Sequence, residues 1–253
     1  MEAVESPRAG TPSLALLLLE APRAVVAASL LVFALPLLRR APRGDGHPVL
    51  VLPGFTASDI STRVLRRYVT SLGYKAYGWK LGRNFGLADG RRQQLMERLA
   101  ELYQRNNRRV SLVGWSLGGI YARELAKLMP ETVRRVITLA SPFGGEQRGF
   151  DPWMVRLLMG RDISPRLRRR LNGLHPPPPV PSTAIFTKTD GIAPWRACRE
   201  IDGGGTENIE VVASHCGLGF HPAVLYAVAD RLAQPEGALV PFDRRGLRRA
   251  IYG

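Results

Sequence analysis

The sequence predicts an α/β protein: a mostly parallel, doubly wound sheet with a short helical cap insertion. Three observations carry this. From residue 47 onward, short apolar or β-branched runs alternate with stretches of helical periodicity, the rhythm of βα units. One run, Arg109 to Trp115, ends in Gly114-Trp115-Ser116-Leu117-Gly118-Gly119, and Leu117 to Met129 then reads as helix. The chemically distinctive residues fall just after predicted strand ends, where open parallel sheets collect reactive groups.

Composition sets the bounds. A chain of 253 residues suits one domain with a large core. Its 45% hydrophobic and 23% charged content is that of a globular protein. The net charge is +15, carried mostly by arginine pairs such as Arg39-Arg40, Arg66-Arg67, Arg91-Arg92, Arg108-Arg109, Arg134-Arg135 and Arg244-Arg245. Pairs scattered in this way argue against a nucleic-acid stripe. They suit a solvated basic surface or one attracted to anionic membrane. Cys198 and Cys216 have no metal or redox spacing, and read as two small buried residues or as one bridge.

Residues 1–46 form an N-terminal arm. Ser13 to Leu38 is the most apolar stretch of the chain, split by Glu20 and Arg23 and punctuated by Pro22 and Pro36. Glu2 and Glu5 in place of a positive leader, and Arg39-Arg40 in place of small residues, argue against a secretory signal. Three arrangements remain: a helical hairpin on a membrane surface, a marginal anchor, or an arm packed on the domain. The first is favoured, with the protein cytoplasmic and peripheral to the membrane. Were the stretch to span, Arg39, Arg40 and Arg43 would keep the domain on the cytoplasmic side.

The main domain is expected over 47–235. His47 to Leu52 reads as a buried strand ended by Pro53-Gly54, and Asp59 to Leu72 as a helix capped by Ser58 or Asp59. Lys75 to Leu81 is a strand, and Asp89 to Asn106 is an amphipathic helix with Leu95, Leu99 and Leu102 on one face. After the Gly-x-Ser-x-Gly unit, Val133 to Ala140 is a strand. Residues 143–181 break the rhythm with an apolar piece around Trp153, a basic run and four prolines, as a cap over a pocket would. Ser182 to Thr189 and Asn208 to Ser214 resume the sheet, Pro222 to Leu232 is a closing helix, and 236–253 is a basic surface tail.

A serine hydroxyl is a weak nucleophile. It needs a base to take its proton and an acid to hold that base. A strand–Gly-x-Ser-x-Gly–helix unit forms a nucleophile elbow, in which the order serine, acid, histidine is required. Ser116, Asp190 and His215 follow that order. The rivals are Asp202 for the acid and His221 for the base; His47 and His175 precede prolines outside the strand ends and read as structural or surface. Two backbone donors are expected to face the developing oxyanion, the N–H of Leu117 and that of Phe55. Trp115, Phe143 and Trp153 are candidates for an apolar substrate site, with core packing as the alternative for the aromatics beside the serine.

Five blocks occur in a recognisable order: Val51 to Phe55, Gly114 to Gly119, Thr138 to Phe143, Thr187 to Trp195 and Ser214 to Leu218. Together they resemble bacterial lipase- and esterase-like α/β hydrolases over roughly residues 47 to 235. The resemblance implies an α/β-hydrolase fold and a serine esterase working through an acyl-enzyme, with no cofactor and no metal. It assigns catalysis to Ser116, Asp190 and His215 and the oxyanion hole to Phe55 and Leu117. A small-molecule or lipid ester would be the substrate and a membrane surface a possible partner. The chain departs from the pattern in having Pro53-Gly54-Phe55 where many relatives carry a His-Gly or Gly-Gly-Gly loop. An acyltransferase, thioesterase or amidase on the same scaffold, or a non-catalytic membrane-bound relative, are the alternatives.

Overall fold

A computed structural model describes residues 12–87, 89–144, 173–201 and 203–253. Six strands form one parallel sheet: β1 (Pro48–Leu52), β2 (Lys75–Gly78), β3 (Val110–Trp115), β4 (Val133–Leu139), β5 (Ser182–Phe186) and β6 (Thr206–Glu210), in the spatial order β2-β1-β3-β4-β5-β6. The order reverses between β1 and β3, so the connections leave in opposite directions and open a crevice above the carboxyl ends of those two strands. The predicted doubly wound architecture is present.

Alternation along each strand decides which helices cover which face. Val49, Val51, Val113, Trp115, Ile137, Leu139 and Ile185 point into one core with α3 (Arg63–Ser71) and α6 (Pro222–Leu232). Leu50, Leu52, Leu112, Val136 and Ala184 point into the other, with α4 (Asp89–Asn106) and α5 (Leu117–Leu128). The α4 stripe of Leu95, Leu99 and Leu102 is fully buried, as its spacing predicts. Each such side chain contributes about 1.5–3 kcal/mol of transfer free energy.

Several boundaries moved for identifiable reasons. The helix expected from Asp59 begins only at Arg63, because the Asp59 carboxylate is occupied elsewhere: it accepts from the backbone N–H groups of Trp79 and Lys80, both at 3.0 Å. Asp59 thus pins the end of β2 instead of capping a helix. The last two strands are shorter than expected, and the chain leaves β5 and β6 into loops that carry Asp190 and His215. The two cysteine thiols are free, Cys198 buried and Cys216 exposed, so no bridge joins them.

The expected surface tail is also different. Phe242 and Tyr252 are only 3% and 4% exposed, Tyr252 pairs antiparallel with Val211, and the Phe242 N–H donates to Glu207 at 2.6 Å. Residues 236–253 therefore shield the β6 edge, which would otherwise present unpaired backbone groups. Its buried aromatic residues hold it there, together with Arg244, which donates to the Asn208 carbonyl, and Arg248, which donates to the Tyr226 hydroxyl.

The N-terminal arm forms a short helix α1 (Leu14–Leu18) and a long helix α2 (Glu20–Leu38). Pro22 and Pro36 do not interrupt α2. Pro22 falls in its first turn, where a missing N–H is harmless, and Pro36 in its last. By length and composition α2 is able to cross a membrane, with a mean hydropathy of 1.9. Here it lies along the domain: Leu31, Ala34 and Leu38 pack into the α3–α6 core, and the Tyr68 hydroxyl donates to the Leu38 carbonyl at 3.2 Å. Its outer face is bare, with Val25, Val26, Val32, Phe33 and Leu37 all exposed.

Candidate active site

β3 delivers Ser116 into a turn that its neighbours make possible. Ser116 has φ 52° and ψ −122°, a conformation L-residues rarely adopt, immediately before helix α5. Strain of this kind costs about 1–3 kcal/mol and survives only where the surroundings impose it. They do so here through close backbone contacts. A Cβ on Gly114 would lie 2.3 Å from the Gly119 Cα, and one on Gly118 only 2.2 Å from the Leu52 carbonyl oxygen. The glycines around Ser116 let α5 start against β3 and against the end of β1 at once.

The two residues expected to carry oxyanion donors flank the same turn. Gly54 lies beside the serine, where an added Cβ would sit 3.3 Å from the Ser116 Cβ. Phe55 follows directly, partly buried against the α4–α5 core. Leu117 is the first residue of α5, so its N–H lacks an intrahelical acceptor. Among the described residues the backbone N–H groups of Phe55 and Leu117 donate to no carbonyl, whereas their neighbours Thr56 and Gly119 do.

Asp190 and His215 meet across the β5 and β6 loops. His215 Nδ1 lies 2.7 Å from Asp190 Oδ2, with both side chains buried. The other oxygen, Asp190 Oδ1, accepts from the N–H groups of Ile192 at 2.7 Å and Ala193 at 2.6 Å, so the carboxylate has one orientation. Burial disfavours the imidazolium. The Asp190 carboxylate, by charge and by hydrogen bond, and the Glu20 carboxylate outweigh that, so the ring's pKa lies above its ordinary 6.5. The rival His221 has no such partner: its Nδ1 is buried without a hydrogen bond, and burial with the Arg23 charge lowers its pKa. Asp202 and Trp153 lie outside the described residues, as does most of the expected cap.

Ser116 is tied to this pair through the residue before it. The Trp115 indole N–H donates to the His215 carbonyl at 3.2 Å, and its ring fills the space a side chain at Gly219 would need. Trp115 is 9% exposed and packs on the α3–α6 side. It holds the histidine loop through this contact. Phe143 is 1% exposed, in the α4–α5 core with the Arg123 guanidinium 3.8 Å above its ring. The half-buried Ser116 hydroxyl makes no hydrogen bond with a described residue. Of the three residues expected to act together, Asp190 and His215 are joined by a hydrogen bond, and none joins Ser116 to His215.

A second Ser-His-Asp trio shows what the first has besides geometry. At the opposite rim, Asp45 Oδ1 lies 2.5 Å from His47 Nδ1, and His47 Nε2 lies 2.8 Å from Ser111 Oγ. His47 and Ser111 are completely buried, and burial pulls the His47 pKa down to about 4. Ser111 lies inside β3, paired with β1 and β4 beside a register shift between Val110 and Ser111, with no helix N-terminus behind it. This trio satisfies polar groups at the start of β1 and β3; it is not a place where a substrate can sit.

Two residues near the first trio were not legible as functional. Glu20 and Arg23 read as interruptions of an apolar stretch, yet both reach into the loops that carry Asp190 and His215. Two opposite charges three residues apart in an apolar run, close enough to share one side of a helix, were the available signal.

A model of the alpha/beta hydrolase family matches residues 49–250 of the chain. No curated protein matches it in sequence. Among solved structures it is similar to Aspergillus fumigatus lipase B, with TM-score 0.61 and 16% identity, covering 76% of this chain and 53% of that one. This chain therefore spans about half the length of that lipase. It is also similar to a structure from work on LipS and LipT, two metagenome-derived lipolytic enzymes (TM-score 0.55, 16% identity, 76% and 93% covered). A third is the naproxen esterase of Bacillus subtilis (TM-score 0.51, 13% identity, 85% and 98% covered). At these identities the likeness is one of fold.

Proposed function

Because the chain belongs to the alpha/beta hydrolase family, we propose that it is a serine hydrolase of carboxylic esters working through an acyl-enzyme. The observation that carries this is the strained Ser116 at the head of α5, on the same rim as a buried Asp190–His215 pair. In the first half-reaction Ser116 Oγ attacks the ester carbonyl carbon while His215 Nε2 takes its proton. The oxyanion is held by the N–H groups of Leu117 and Phe55, each such donor being worth about 10²–10³ in rate. Collapse breaks the ester C–O bond, and the imidazolium protonates the departing alcohol. Water, deprotonated by His215, then attacks the acyl-enzyme and releases the acid. Asp190 keeps the proton on Nδ1 throughout, so that Nε2 stays free to accept.

The substrate is an apolar or lipid ester met at a membrane surface, with the protein peripheral on the cytoplasmic side. What favours this is the bare outer face of α2, including Phe33 at 83% exposure, with Arg39 and Arg40 exposed just past its end. An apolar helical face flanked by cationic side chains suits the headgroup boundary of an anionic bilayer.

The test is hydrolysis of chromogenic acyl esters by wild-type protein and Ser116→Ala, with and without anionic vesicles. Wild-type turnover, lost in Ser116→Ala at unchanged melting temperature, is expected. Full activity in Ser116→Ala would remove the serine from the mechanism, and equal partition of the protein with and without anionic lipid would remove the membrane from it.

A further inference from the structure

Helix α2 meets the domain at the catalytic loops, and it does so with charged groups. Glu20 is only 4% exposed in an otherwise apolar helix. Its Oε1 accepts from the N–H of Gly191 at 2.8 Å and that of His215 at 3.1 Å, and its Oε2 accepts from the N–H of Cys216 at 2.8 Å. These are the amide following Asp190, the amide of the histidine itself, and the amide following it.

Arg23, one turn on, takes the complementary groups. It donates to the Thr189 carbonyl at 2.7 Å, the Thr189 hydroxyl at 2.6 Å and the Ala213 carbonyl at 2.5 Å. Those carbonyls belong to the residue just before Asp190 and to the residue two before His215. The anion therefore gathers the donors on the far side of both catalytic residues, and the cation gathers the acceptors on the near side.

Close backbone contacts fix the same register independently. A Cβ on Gly191 would lie 2.5 Å from the Leu16 carbonyl oxygen, and one on Gly217 would lie 3.3 Å from the Ala27 Cβ and 3.5 Å from the Ala24 Cα. The arm touches the Asp190 loop and the His215 loop where each has a glycine. Burying the Glu20 charge costs several kcal/mol unless it is hydrogen-bonded, and here both its oxygens accept from backbone N–H groups, while the half-buried Arg23 makes three hydrogen bonds of its own. A face that only needed covering would be covered more cheaply by leucine or alanine.

We propose that α2 is a working part of the active site, in which Glu20 and Arg23 are positioning residues that hold the Asp190 and His215 loops in register and set a second carboxylate against the catalytic imidazole. The inference rests on the serine-hydrolase reading above. The charged and titratable groups around His215 are Asp190 on its own rim, Glu20 and Arg23 from α2, and Cys216 and His221 from its own loop. Of these, Asp190 and Glu20 raise the imidazole's pKa. Removing the Glu20 charge should let the histidine stay neutral to lower pH.

The experiment is the rate of Ser116 labelling by a fluorophosphonate probe, measured from pH 5 to 9 on the full chain, for wild type, Glu20→Gln, Glu20→Asp and Arg23→Lys. In Glu20→Gln the acid limb should move to lower pH, because one of two neighbouring anions is gone. Glu20→Asp keeps the charge but withdraws the oxygens by one methylene. It should keep the wild-type midpoint and lose about tenfold or more in rate through misplacement. Arg23→Lys should lose rate in the same way. A purely structural anchor would lower the melting temperature without moving the midpoint, so a wild-type midpoint in folded Glu20→Gln overturns the proposal. If Glu20→Gln does not fold, wild-type labelling rates in Glu20→Asp and Arg23→Lys overturn it instead. Failure of the underlying reading looks different: the wild-type protein would not be labelled at any pH.

Discussion

Adding one methyl group at Gly118 sets two known effects against each other. Gly118 is the second residue of α5, where alanine is the better helix former by about 0.5–1 kcal/mol. Against this, the new Cβ would lie 2.2 Å from the Leu52 oxygen, 2.7 Å from the Leu52 carbonyl carbon and 2.8 Å from the Pro53 oxygen. Ordinary contact begins near 3.4 Å. All three atoms are backbone, so no side chain can swing away, and the end of β1 and the start of α5 must separate by about 1 Å. Overpacking of this order costs about 1–3 kcal/mol, so destabilisation exceeds the helix-propensity gain. For a chain of this length each kcal/mol lowers the melting temperature by about 2–4 °C.

The larger effect should be on chemistry. The loop pushed aside begins at Leu52 and carries Phe55, while the helix pushed the other way begins with Leu117. The two oxyanion donors therefore move apart, and a displacement of about 1 Å at a reacting centre costs roughly 10²-fold in rate. The assay is fluorophosphonate labelling of Ser116 with a parallel thermal melt, using Gly90→Ala as the control. Gly90 is also helical but has nothing within 4 Å of an added Cβ. Gly118→Ala should label about 10²-fold more slowly and melt lower, with Gly90→Ala unchanged in rate. Wild-type labelling in Gly118→Ala would refute the close approach of β1 and α5 as the basis of the oxyanion hole.

Two further outcomes follow from the same geometry. Ester hydrolysis should fall on the acid side with a midpoint above 6.5: His215 must be neutral to accept the serine proton, and its pKa is raised by Asp190 and Glu20, so protonation stops the reaction sooner than for a free imidazole. A pH–rate profile with its midpoint at or below 6.5 would contradict the described environment. Ser111→Ala should leave activity intact yet cost about 1–3 kcal/mol in a chemical melt, because the buried His47 Nε2 loses its partner. Activity lost at unchanged stability would show that the second trio is not merely structural.

Much of the fold was legible from residues 47 to 232 because local rules and global packing agree there. Period-two runs such as Val49 to Leu52 fill both faces of a sheet, and the Leu95–Leu99–Leu102 stripe fills one groove. The order Ser116, Asp190, His215 was legible for a related reason. Strand ends can be read locally, and the sheet brings them to one rim whatever the intervening loops do. The aromatics were not so readable. A tryptophan or phenylalanine beside the serine has the same composition signature whether it lines a pocket or fills a core. Only the side of the sheet to which Trp115 and Phe143 turn separates the two.

The sequence by itself determined the parallel sheet, the strained turn at Ser116 and the order in which Ser116, Asp190 and His215 follow strand ends, since each follows from contacts within a few residues or from strand periodicity. Tertiary structure alone decided where the polar groups of the arm and tail go. Glu20 and Arg23 find backbone partners 166 to 196 residues away, and Phe242 and Tyr252 close the β6 edge. No local pattern encodes such pairings, because a buried charge is tolerated only where the whole fold supplies its partners, and those partners exist only once the sheet has formed.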